Sequence, residues 1–318
     1  MKKNFPTWDR EYALQRATAG PRKGQLLRQD VYKSNSEVFH AGGYVCESGK
    51  VVEIPIDDPM LNKTKVYAAP FDANDIPVQC GNTVFSTVNA DCLAVAKELL
   101  DKGYNPCVMN LADAYVACGM YKRGSRAQEE SLCRATTLSR SLFQFFKATT
   151  GKADRYAMDV NVEIKEYAYP LDLNYGGVYS PNVTVFRNAH DLYAFAEETY
   201  RVGIVSVAAL DFNEKHGKNL EYKAKGGGFT SEGEEIMKNK IRTIYRIALV
   251  NGHDSLIAGA FGCGAFRLSA DKVAHLFLEI INEAEFKNKF AKVIFAILDK
   301  DGKDGKDGKF APFYELFN

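Results

Sequence analysis

Short apolar runs alternate with amphipathic stretches along much of this chain, and each apolar run has the length of a strand. Residues 83–88, 105–111 and 202–210 are rich in β-branched and other apolar side chains, which favour strands. Leucine and alanine residues at helical spacing separate the first two runs and predict a helix that Gly103 ends. This alternation predicts an α/β protein whose mixed, largely parallel sheet is covered by helices.

Other parts of the chain follow the pattern less closely. Residues 1–40 are polar and partly helical, and we expect a helical extension that packs on a single domain formed by residues 41–318. Residues 160–167 are strand-like, whereas residues 179–187 join a proline-marked loop to a short strand. Residues 234–251 have the apolar spacing of a helix.

One strand-loop-helix segment carries candidate chemistry. A strand ends near Asn110, a loop with Gly119 follows, and apolar side chains at helical spacing over residues 132–142 predict a helix. Glu129 and Glu130 lie in the first turn of this helix. Loops at the carboxyl ends of strands bind ligands in α/β proteins, and the amides of a helix start attract anions. Two adjacent carboxylates do not bind such an anion, so they suggest catalysis beside it.

Glu129 and Glu130 also have a plainer interpretation. Acidic residues are frequent in the first turn of helices because they offset the helix dipole. Spacing alone favours this interpretation over a catalytic one.

A second strand-loop-helix segment lies nearer the C-terminus. An apolar strand over residues 255–258 leads into the glycine-bearing residues 259–266, and a helix over residues 270–281 follows. A lone glycine loop is weak evidence of phosphate binding, but two such loops, each after an apolar strand, are stronger together. Neither loop has the GxGxxG spacing with a matching acidic residue downstream, which disfavours a nicotinamide oxidoreductase.

Composition narrows the class of protein. With 318 residues, 46% hydrophobic and 25% charged, the chain is typical of soluble globular proteins. A net charge of +1 gives no general attraction to nucleic acid or membranes, and no apolar segment is long enough to span a bilayer. The seven cysteines form no CxxC pair and the five histidines form no ligand pair, so we expect no metal and no cofactor. Scattered free thiols and the lack of a signal-peptide pattern favour the cytoplasm.

Several blocks of residues, in their order and spacing, are specific to one family. They are residues 83–89, 110–112 (NLA), 127–132 (AQEESL), 179–181 (YSP), 185–187 (VFR), 259–266 (GAFGCGAF) and 295–299 (FAILD). In these blocks the chain resembles the microbial-type poly(ADP-ribose) glycohydrolases, which are macrodomain proteins. The resemblance implies a three-layer α/β/α macrodomain-like fold with an N-terminal helical extension.

The resemblance also implies roles for residues of the first strand-loop-helix segment. Glu130 would be the catalytic acid, and Glu129 would orient the ribose at the scissile bond. Tyr121 would pack near the reactive ribose, and Asn110 and Asp113 would shape the ribose pocket. The further ligand-binding residues implied in this segment are Cys118, Gly119, Met120 and Gln128.

In the second segment the resemblance implies a diphosphate site. Gly262, Cys263, Gly264 and Ala265 would wrap the diphosphate through their backbone amides. Phe266 would lie against the adenine and its ribose.

The implied reaction is hydrolysis of the O-glycosidic bond that joins two ADP-ribose units of poly(ADP-ribose). Glu130 would protonate the leaving oxygen and then deprotonate the attacking water. The helix start favours the ionised carboxylate, whereas a neighbouring carboxylate and a bound diphosphate favour the protonated acid. The implied partners are ADP-ribose or poly(ADP-ribose) on modified proteins. We expect a monomer without membrane binding or sequence-specific nucleic-acid binding.

One departure from the family bears on activity. The family has three consecutive glycines and an aromatic residue where this chain has Cys118, Gly119, Met120 and Tyr121. The side chains of Cys118 and Met120 would crowd the backbone approach that glycine permits. A second hypothesis is therefore a macrodomain that binds ADP-ribose without hydrolysing it. A third is a hydrolase of another ADP-ribosyl substrate.

Overall fold

The structure, a computed structural model, describes residues 5–20, 22, 24–78, 81–147, 156–299 and 308–318. Its helices are α1 (Arg10–Thr18), α2 (Gln25–Ala41), α3 (Pro59–Lys63), α4 (Cys92–Asp101), α5 (Gln128–Ala135), α6 (Leu138–Phe143), α7 (Ser231–Val250), α8 (Ala270–Ile281) and α9 (Phe310–Phe317). Its strands are β1 (Gly43–Val45), β2 (Val51–Glu53), β3 (Lys65–Tyr67), β4 (Val84–Val88), β5 (Pro106–Leu111), β6 (Gly177–Asn188), β7 (Ala194–Val207), β8 (Ser255–Ala258) and β9 (Lys292–Ala296). Short 3-10 turns lie at Tyr121–Arg123 and Leu220–Tyr222.

The chain divides into two compact units. The first comprises Met1–Lys65, Ala112–Pro170 and Ser180–Arg201, and the second comprises Val66–Leu111, Leu171–Tyr179 and Val202–Asn318. The strands β6 and β7 each carry residues of both units. A domain boundary after residue 40 stays a prediction.

A seven-stranded sheet runs in the order β3-β6-β7-β5-β8-β9-β4. The pairs β5–β7, β5–β8, β8–β9 and β4–β9 are parallel, which confirms the predicted largely parallel sheet. In the register Asn110 of β5 lies opposite Ser206 of β7, and Ala258 of β8 lies opposite Phe295 of β9. The carboxyl ends of these strands therefore share one edge of the sheet, and the glycine-bearing residues 259–266 leave it directly after β8.

Buried polar contacts tie α2 to other elements of the first unit. The guanidinium of Arg187 in β6 donates to Oδ1 of Asn35 at 2.6 Å, to Oγ of Ser34 at 2.7 Å and to the carbonyl of Tyr193 at 2.7 Å. Asn35 in turn donates to the hydroxyl of Tyr121 at 2.7 Å. Helix α2 is thereby linked both to β6 and to the chain that precedes α5.

The helix predicted from residue 128 through residue 142 is interrupted, so this prediction is corrected to two helices, α5 and α6. At the break the N–H of Thr137 donates to the carbonyl of Thr184 at 3.0 Å, and the N–H of Thr184 donates to Oγ1 of Thr137 at 3.0 Å. Thr136 also bridges Val185 of β6. The backbone here pairs with β6 instead of continuing the helix.

The strand predicted over residues 160–167 is wrong, because this segment has no regular secondary structure. The backbone here bonds to the residues that follow α6. The N–H of Lys165 donates to the carbonyl of Gln144 at 2.8 Å, and the N–H of Ala168 donates to the carbonyl of Phe145 at 2.9 Å. The next strand, β6, is conversely longer than predicted, since it spans Gly177–Asn188 and includes Pro181.

The second unit confirms the helices predicted near residues 234–251 and 270–281, which are α7 and α8. Its C-terminal helix α9 packs aromatic side chains on the sheet. The ring of Phe295 in β9 stacks on Phe317 with a centroid distance of 4.4 Å and lies 5.0 Å from Phe313. Both α9 rings are buried, so they extend the apolar core of this unit.

The cysteines behave as core residues. The six that the structure describes are buried free thiols, and Cys80 lies outside the described residues. Within the described part of the chain no helix is long and apolar enough to cross a membrane.

Candidate active site

Two adjacent carboxylates occupy the first turn of α5 in the first unit. Ala127 precedes this helix, and no side chain caps its first turn. Glu129 is only 3% exposed and Glu130 only 6% exposed. A carboxylate that merely offsets a helix dipole is better left in water, because burial of a charge is costly. Their burial argues against the interpretation as ordinary helix-start charges.

Glu129 is held by the loop that follows β5. Its Oε2 accepts the backbone N–H of Asp113 at 2.9 Å. The carboxylate of Asp113 is engaged in its own turn, where Oδ1 accepts the N–H groups of Tyr115 at 2.7 Å and Val116 at 3.0 Å. Asp113 thus shapes the loop through its side chain and orients Glu129 through its backbone.

Glu130 has one oxygen fixed and one unengaged. Its Oε1 accepts the backbone N–H of Met120 at 2.9 Å. Its Oε2 is buried and makes no hydrogen bond with any residue that the structure describes. An unsatisfied buried carboxylate oxygen is costly, so it marks a place where a ligand atom or water belongs.

Gly119 lies against both carboxylates. It has a φ of +51°, and a Cβ added there would lie 2.8 Å from Oε1 of Glu130 and 3.2 Å from Oε2 of Glu129. Both the left-handed backbone and the close approach require glycine at this position. The middle glycine of the family's loop is therefore the one that the carboxylates need.

Cys118 has a left-handed backbone although it is not a glycine, with a φ of +64°. Its side chain is fully buried, with Sγ beside the thiol of Cys133 and 4.0 Å from the carbonyl oxygen of Ser139. Burial raises the pKa of the Cys118 thiol, which disfavours the nucleophilic thiolate. This side chain fills the interior of the first unit, whereas Met120 is half-buried.

Tyr121 lies inside the first unit. Its ring is fully buried and meets Tyr32 edge-on at a centroid distance of 5.3 Å, and its hydroxyl accepts from Asn35. Gln128, the first residue of α5, is half-buried. The ribose contact of Tyr121 and the ligand contact of Gln128 stay predictions.

Asn110 belongs to the second unit, where it is part of β5. Its side chain is fully buried, and Nδ2 donates to Oγ of Ser206 in the neighbouring strand at 3.0 Å. This bond crosslinks β5 and β7 at the carboxyl edge of the sheet. A role for Asn110 in the ribose pocket stays a prediction.

The glycine turn, which we define as residues 259–266, follows β8 in the second unit. Gly262 has a φ of +73°, and a Cβ there would lie 2.5 Å from Cδ1 of Leu268 and 2.7 Å from Cβ of Ala209. Gly264 and Ala265 are exposed at the tip of the turn. The geometry therefore presents backbone at the surface, as the predicted diphosphate site requires.

Cys263 and Phe266 flank the exposed tip of the glycine turn. Burial raises the pKa of the Cys263 thiol to about 12, so this side chain is a core thiol. Phe266 is half-buried and meets the ring of His216 edge-on at a centroid distance of 6.5 Å. Nδ1 of His216 is paired with Oδ2 of Asp211 at 2.7 Å, which holds that ring in place.

The structure thus sorts the predicted site residues into two sets. The first unit brings together Asp113, Cys118, Gly119, Met120, Tyr121, Gln128, Glu129 and Glu130. The second unit contains Asn110, Gly262, Cys263, Gly264, Ala265 and Phe266. Among the described residues, no group of three or more His, Cys, Asp or Glu side chains could hold a metal ion.

Tyr169, which the sequence did not single out, lies in the first unit. Its hydroxyl is buried and makes no hydrogen bond with the described part of the chain. Burial, followed by the nearby Glu129 and Cys118, raises the pKa of Tyr169 well above its ordinary value, so the hydroxyl stays protonated. Tyr169 follows an irregular segment without periodicity, so no local pattern in the sequence places it beside Glu129.

Residues 33–188 match the family model described as microbial-type PARG, catalytic domain. No curated protein matches the chain.

Solved structures extend the likeness over most of the chain. The poly(ADP-ribose) glycohydrolase (PARG) from Thermomonospora curvata is similar with 25% identity and a TM-score of 0.67, over 91% of this chain and 97% of that chain. The same protein bound to the inhibitor ADP-HPD gives a TM-score of 0.66, with 25% identity and the same coverage of 91% and 97%. A PARG from Deinococcus radiodurans in complex with ADP-ribose shares the fold, with 23% identity and a TM-score of 0.59 over 81% of this chain and 94% of that chain.

These likenesses confirm the predicted α/β/α, macrodomain-like fold class. The family model covers the carboxylate turn of α5, and the Thermomonospora match covers nearly the whole chain. The chain is therefore similar to the microbial-type poly(ADP-ribose) glycohydrolases, a family of glycosidases.

Proposed function

We propose that this protein hydrolyses the O-glycosidic ribose–ribose bond of poly(ADP-ribose) on modified proteins, with Glu130 as the general acid and base. The arrangement of the Glu130 carboxyl group is the observation that supports this. One oxygen is fixed by the N–H of Met120, while the other is buried without a hydrogen-bond partner among the described residues. A carboxyl group held in this way is oriented in advance and keeps one oxygen for proton exchange.

In the first half of the reaction the protonated Glu130 gives its proton to the oxygen that leaves with the neighbouring ADP-ribose unit. The bond between that oxygen and the anomeric carbon breaks, and positive charge develops on the remaining ribose. The Glu130 carboxylate then takes a proton from water while the water oxygen bonds to the anomeric carbon. One water molecule is consumed, and Glu130 ends the cycle protonated as it began.

Glu129 would orient the ribose at the bond to be cleaved. Its buried carboxylate is fixed by the N–H of Asp113, and Gly119 keeps open the space beside both acids. A carboxylate accepts hydrogen bonds from sugar hydroxyls, so Glu129 can fix the ribose without exchanging protons with it. This role differs from that of Glu130. Substitution of Glu129 and substitution of Glu130 should therefore have different kinetic effects.

The glycine turn would bind the diphosphate through backbone amides. Its exposed tip and the requirement for glycine at Gly262 support this role. Consecutive backbone N–H groups that point outward from a turn form an anion-binding concavity.

A third hypothesis, hydrolysis of a different ADP-ribosyl substrate, is favoured by one observation. Met120 stands where the family has glycine, and its side chain is half-buried. The loop residue whose N–H holds Glu130 therefore carries a flexible side chain. By contrast, Cys118 turns its thiol into the interior and does not support loss of catalysis.

The decisive experiment compares wild type with Glu130→Gln for release of ADP-ribose from labelled poly(ADP-ribose). We expect turnover to fall by at least about 10²-fold, the usual contribution of a placed general acid or base. The affinity for ADP-ribose, measured by calorimetry, should persist. Glu232→Gln, an identical change in the exposed first turn of α7, serves as the matched control and should leave turnover unchanged.

Each outcome decides between hypotheses. Wild-type turnover in Glu130→Gln would overturn the assignment of Glu130. Binding of ADP-ribose by wild type without release from polymer would indicate a binding module. Release from mono-ADP-ribosylated proteins, with no release from polymer, would support the third hypothesis.

A further inference from the structure

The exposed tip of the glycine turn has its carbonyl groups and its N–H groups in different roles. The carbonyls are used within the protein: that of Gly264 accepts from Arg267 at 3.2 Å, that of Ala265 from Nδ2 of Asn213 at 2.9 Å, and that of Phe266 from Phe212 at 2.9 Å.

The N–H groups of Gly264, Ala265 and Phe266 make no hydrogen bond with any described residue. Gly264 and Ala265 are exposed, so an anion in solvent can reach this backbone. Three consecutive N–H groups without acceptors are the arrangement that binds phosphate oxygens.

A lysine from the C-terminal segment lies beside these donors. A Cβ placed on Gly264 would be 3.9 Å from Nζ of Lys309. The Lys309 ammonium also opposes the effect of burial on the pKa of the neighbouring Cys263. Within the described part of the chain, Lys309 forms neither an ion pair nor a side-chain hydrogen bond, so its charge is available to a ligand.

One aspartate lies against the backbone on both sides of Lys309. Oδ2 of Asp299 accepts the N–H of Phe310 at 3.2 Å, and a Cβ on Gly308 would collide with the same oxygen. Asp299 is itself held by Asn89, whose amide donates to the Asp299 carbonyl at 3.0 Å and accepts its N–H at 3.2 Å. The ammonium of Lys309 is therefore presented from an anchored backbone, although its side chain is exposed.

We propose that Lys309 binds the diphosphate of the ADP-ribosyl ligand together with the N–H groups of the glycine turn. This inference rests on the function proposed above. Neutral amides orient phosphate oxygens but leave the ligand's negative charge uncompensated, and an ammonium supplies the missing charge. Lys309 is thus a positioning residue for the substrate that takes no part in proton transfer.

The test measures the Kd of ADP-ribose and of adenosine for wild type, Lys309→Gln and Lys309→Arg. We expect Lys309→Gln to weaken ADP-ribose binding by about tenfold or more, the usual effect of losing a charge-assisted hydrogen bond. Adenosine lacks the diphosphate, so its Kd should not change. Lys309→Arg should restore most of the affinity, and the loss in Lys309→Gln should shrink at high salt.

Lys292→Gln is the matched control. Lys292 is the first residue of β9, whereas the glycine turn follows the last residue of the parallel neighbouring strand β8. The Lys292 ammonium lies over the ring of Tyr104, 5.3 Å from its centroid. We expect wild-type affinity for ADP-ribose in this variant. Unfolding midpoints of all variants show whether each one is folded.

The outcomes separate this inference from the proposed function. If wild type and Lys309→Gln bind ADP-ribose equally, Lys309 is not a diphosphate ligand. Equal losses for ADP-ribose and adenosine in a folded Lys309→Gln would also overturn the inference. If wild type itself binds no ADP-ribose, the proposed function fails and this inference fails with it.

Discussion

The backbone N–H of Met120 donates to Oε1 of Glu130 at 2.9 Å. Every amino acid except proline supplies this donor, so the bond does not depend on the side chain at position 120. The departure of this loop from the family's triple glycine therefore leaves the orientation of the acid intact. What the loop cannot replace is Gly119, whose missing Cβ leaves space for both carboxylates.

Gly119→Ala tests this close approach. The left-handed φ of +51° alone should cost about 1–2 kcal/mol with alanine, and the new Cβ would press on Oε1 of Glu130. We expect lower free energy of unfolding and a large loss of ADP-ribose release from polymer. Denaturant titration and the release assay measure the two effects.

Gly217→Ala provides the control for Gly119→Ala. Gly217 has a φ of +63°, and a Cβ there would meet no atom within 4 Å. This variant should show the backbone cost without loss of activity. Equal activity losses in the two variants would contradict a specific clash with the carboxylates.

Cys118→Gly restores the first glycine of the family's loop. Because the thiol packs against Cys133 and Ser139 in the interior, we expect turnover of polymer to match wild type. Steady-state kinetics with labelled polymer measure this. A marked rise in turnover would mean that Cys118 obstructs the substrate, as the sequence suggested.

Tyr169→Phe tests whether the Tyr169 hydroxyl has a structural role. The hydroxyl is buried and has no hydrogen-bond partner among the described residues, so its removal breaks no bond within that part of the protein. The cost of keeping the hydroxyl out of water also disappears. We expect the free energy of unfolding to stay the same or to rise. A clear fall in the urea midpoint would show that the hydroxyl is structurally satisfied.

Lys240→Met tests a buried charge in α7. Burial lowers the pKa of Lys240 to about 8 from an ordinary value of 10.5, so the folded protein disfavours the ammonium. Since one pKa unit corresponds to about 1.4 kcal/mol, we expect the substitution to raise the free energy of unfolding at pH 7 by roughly 3 kcal/mol. Urea unfolding at fixed pH measures it.

The advantage of Lys240→Met should depend on pH. Below pH 8 both states of the wild type bind the proton, and the full cost of burial is present. Between pH 8 and 10.5 the unfolded chain binds more protons than the folded protein, so wild-type stability from this group rises with pH. The difference between the variants should shrink over this range. A difference that is independent of pH would contradict the lowered pKa.

Much of the fold could be predicted from local patterns. The strands β5 and β8 are short buried apolar runs, and α4 has regular helical spacing, so each is determined by its own residues. The segment 160–167 could not be predicted in this way, because its backbone bonds to the end of α6. The interruption between α5 and α6 likewise depends on pairing of Thr137 with β6, which no local pattern reveals.

The candidate site could be predicted only in part. Adjacent carboxylates at a helix start are visible in the sequence, but their burial is a tertiary property, and burial is what separates Glu130 from an ordinary helix-start charge. The contact of Lys309 with the glycine turn joins residues far apart in the chain and has no local signal. The left-handed φ of Cys118 and the burial of its side chain also have no local signal, because this residue type disfavours that φ.

The backbone N–H groups of residues 113 and 120 orient the carboxylates of Glu129 and Glu130, which limits how this segment can diverge between homologues. Substitutions between these positions leave both donors in register, whereas an inserted or deleted residue would displace one donor relative to the other. Loop length is therefore under tighter constraint than side-chain identity in this stretch. Apart from Gly119, the side chains of this stretch can vary while the spacing from Asp113 to Glu130 stays the same.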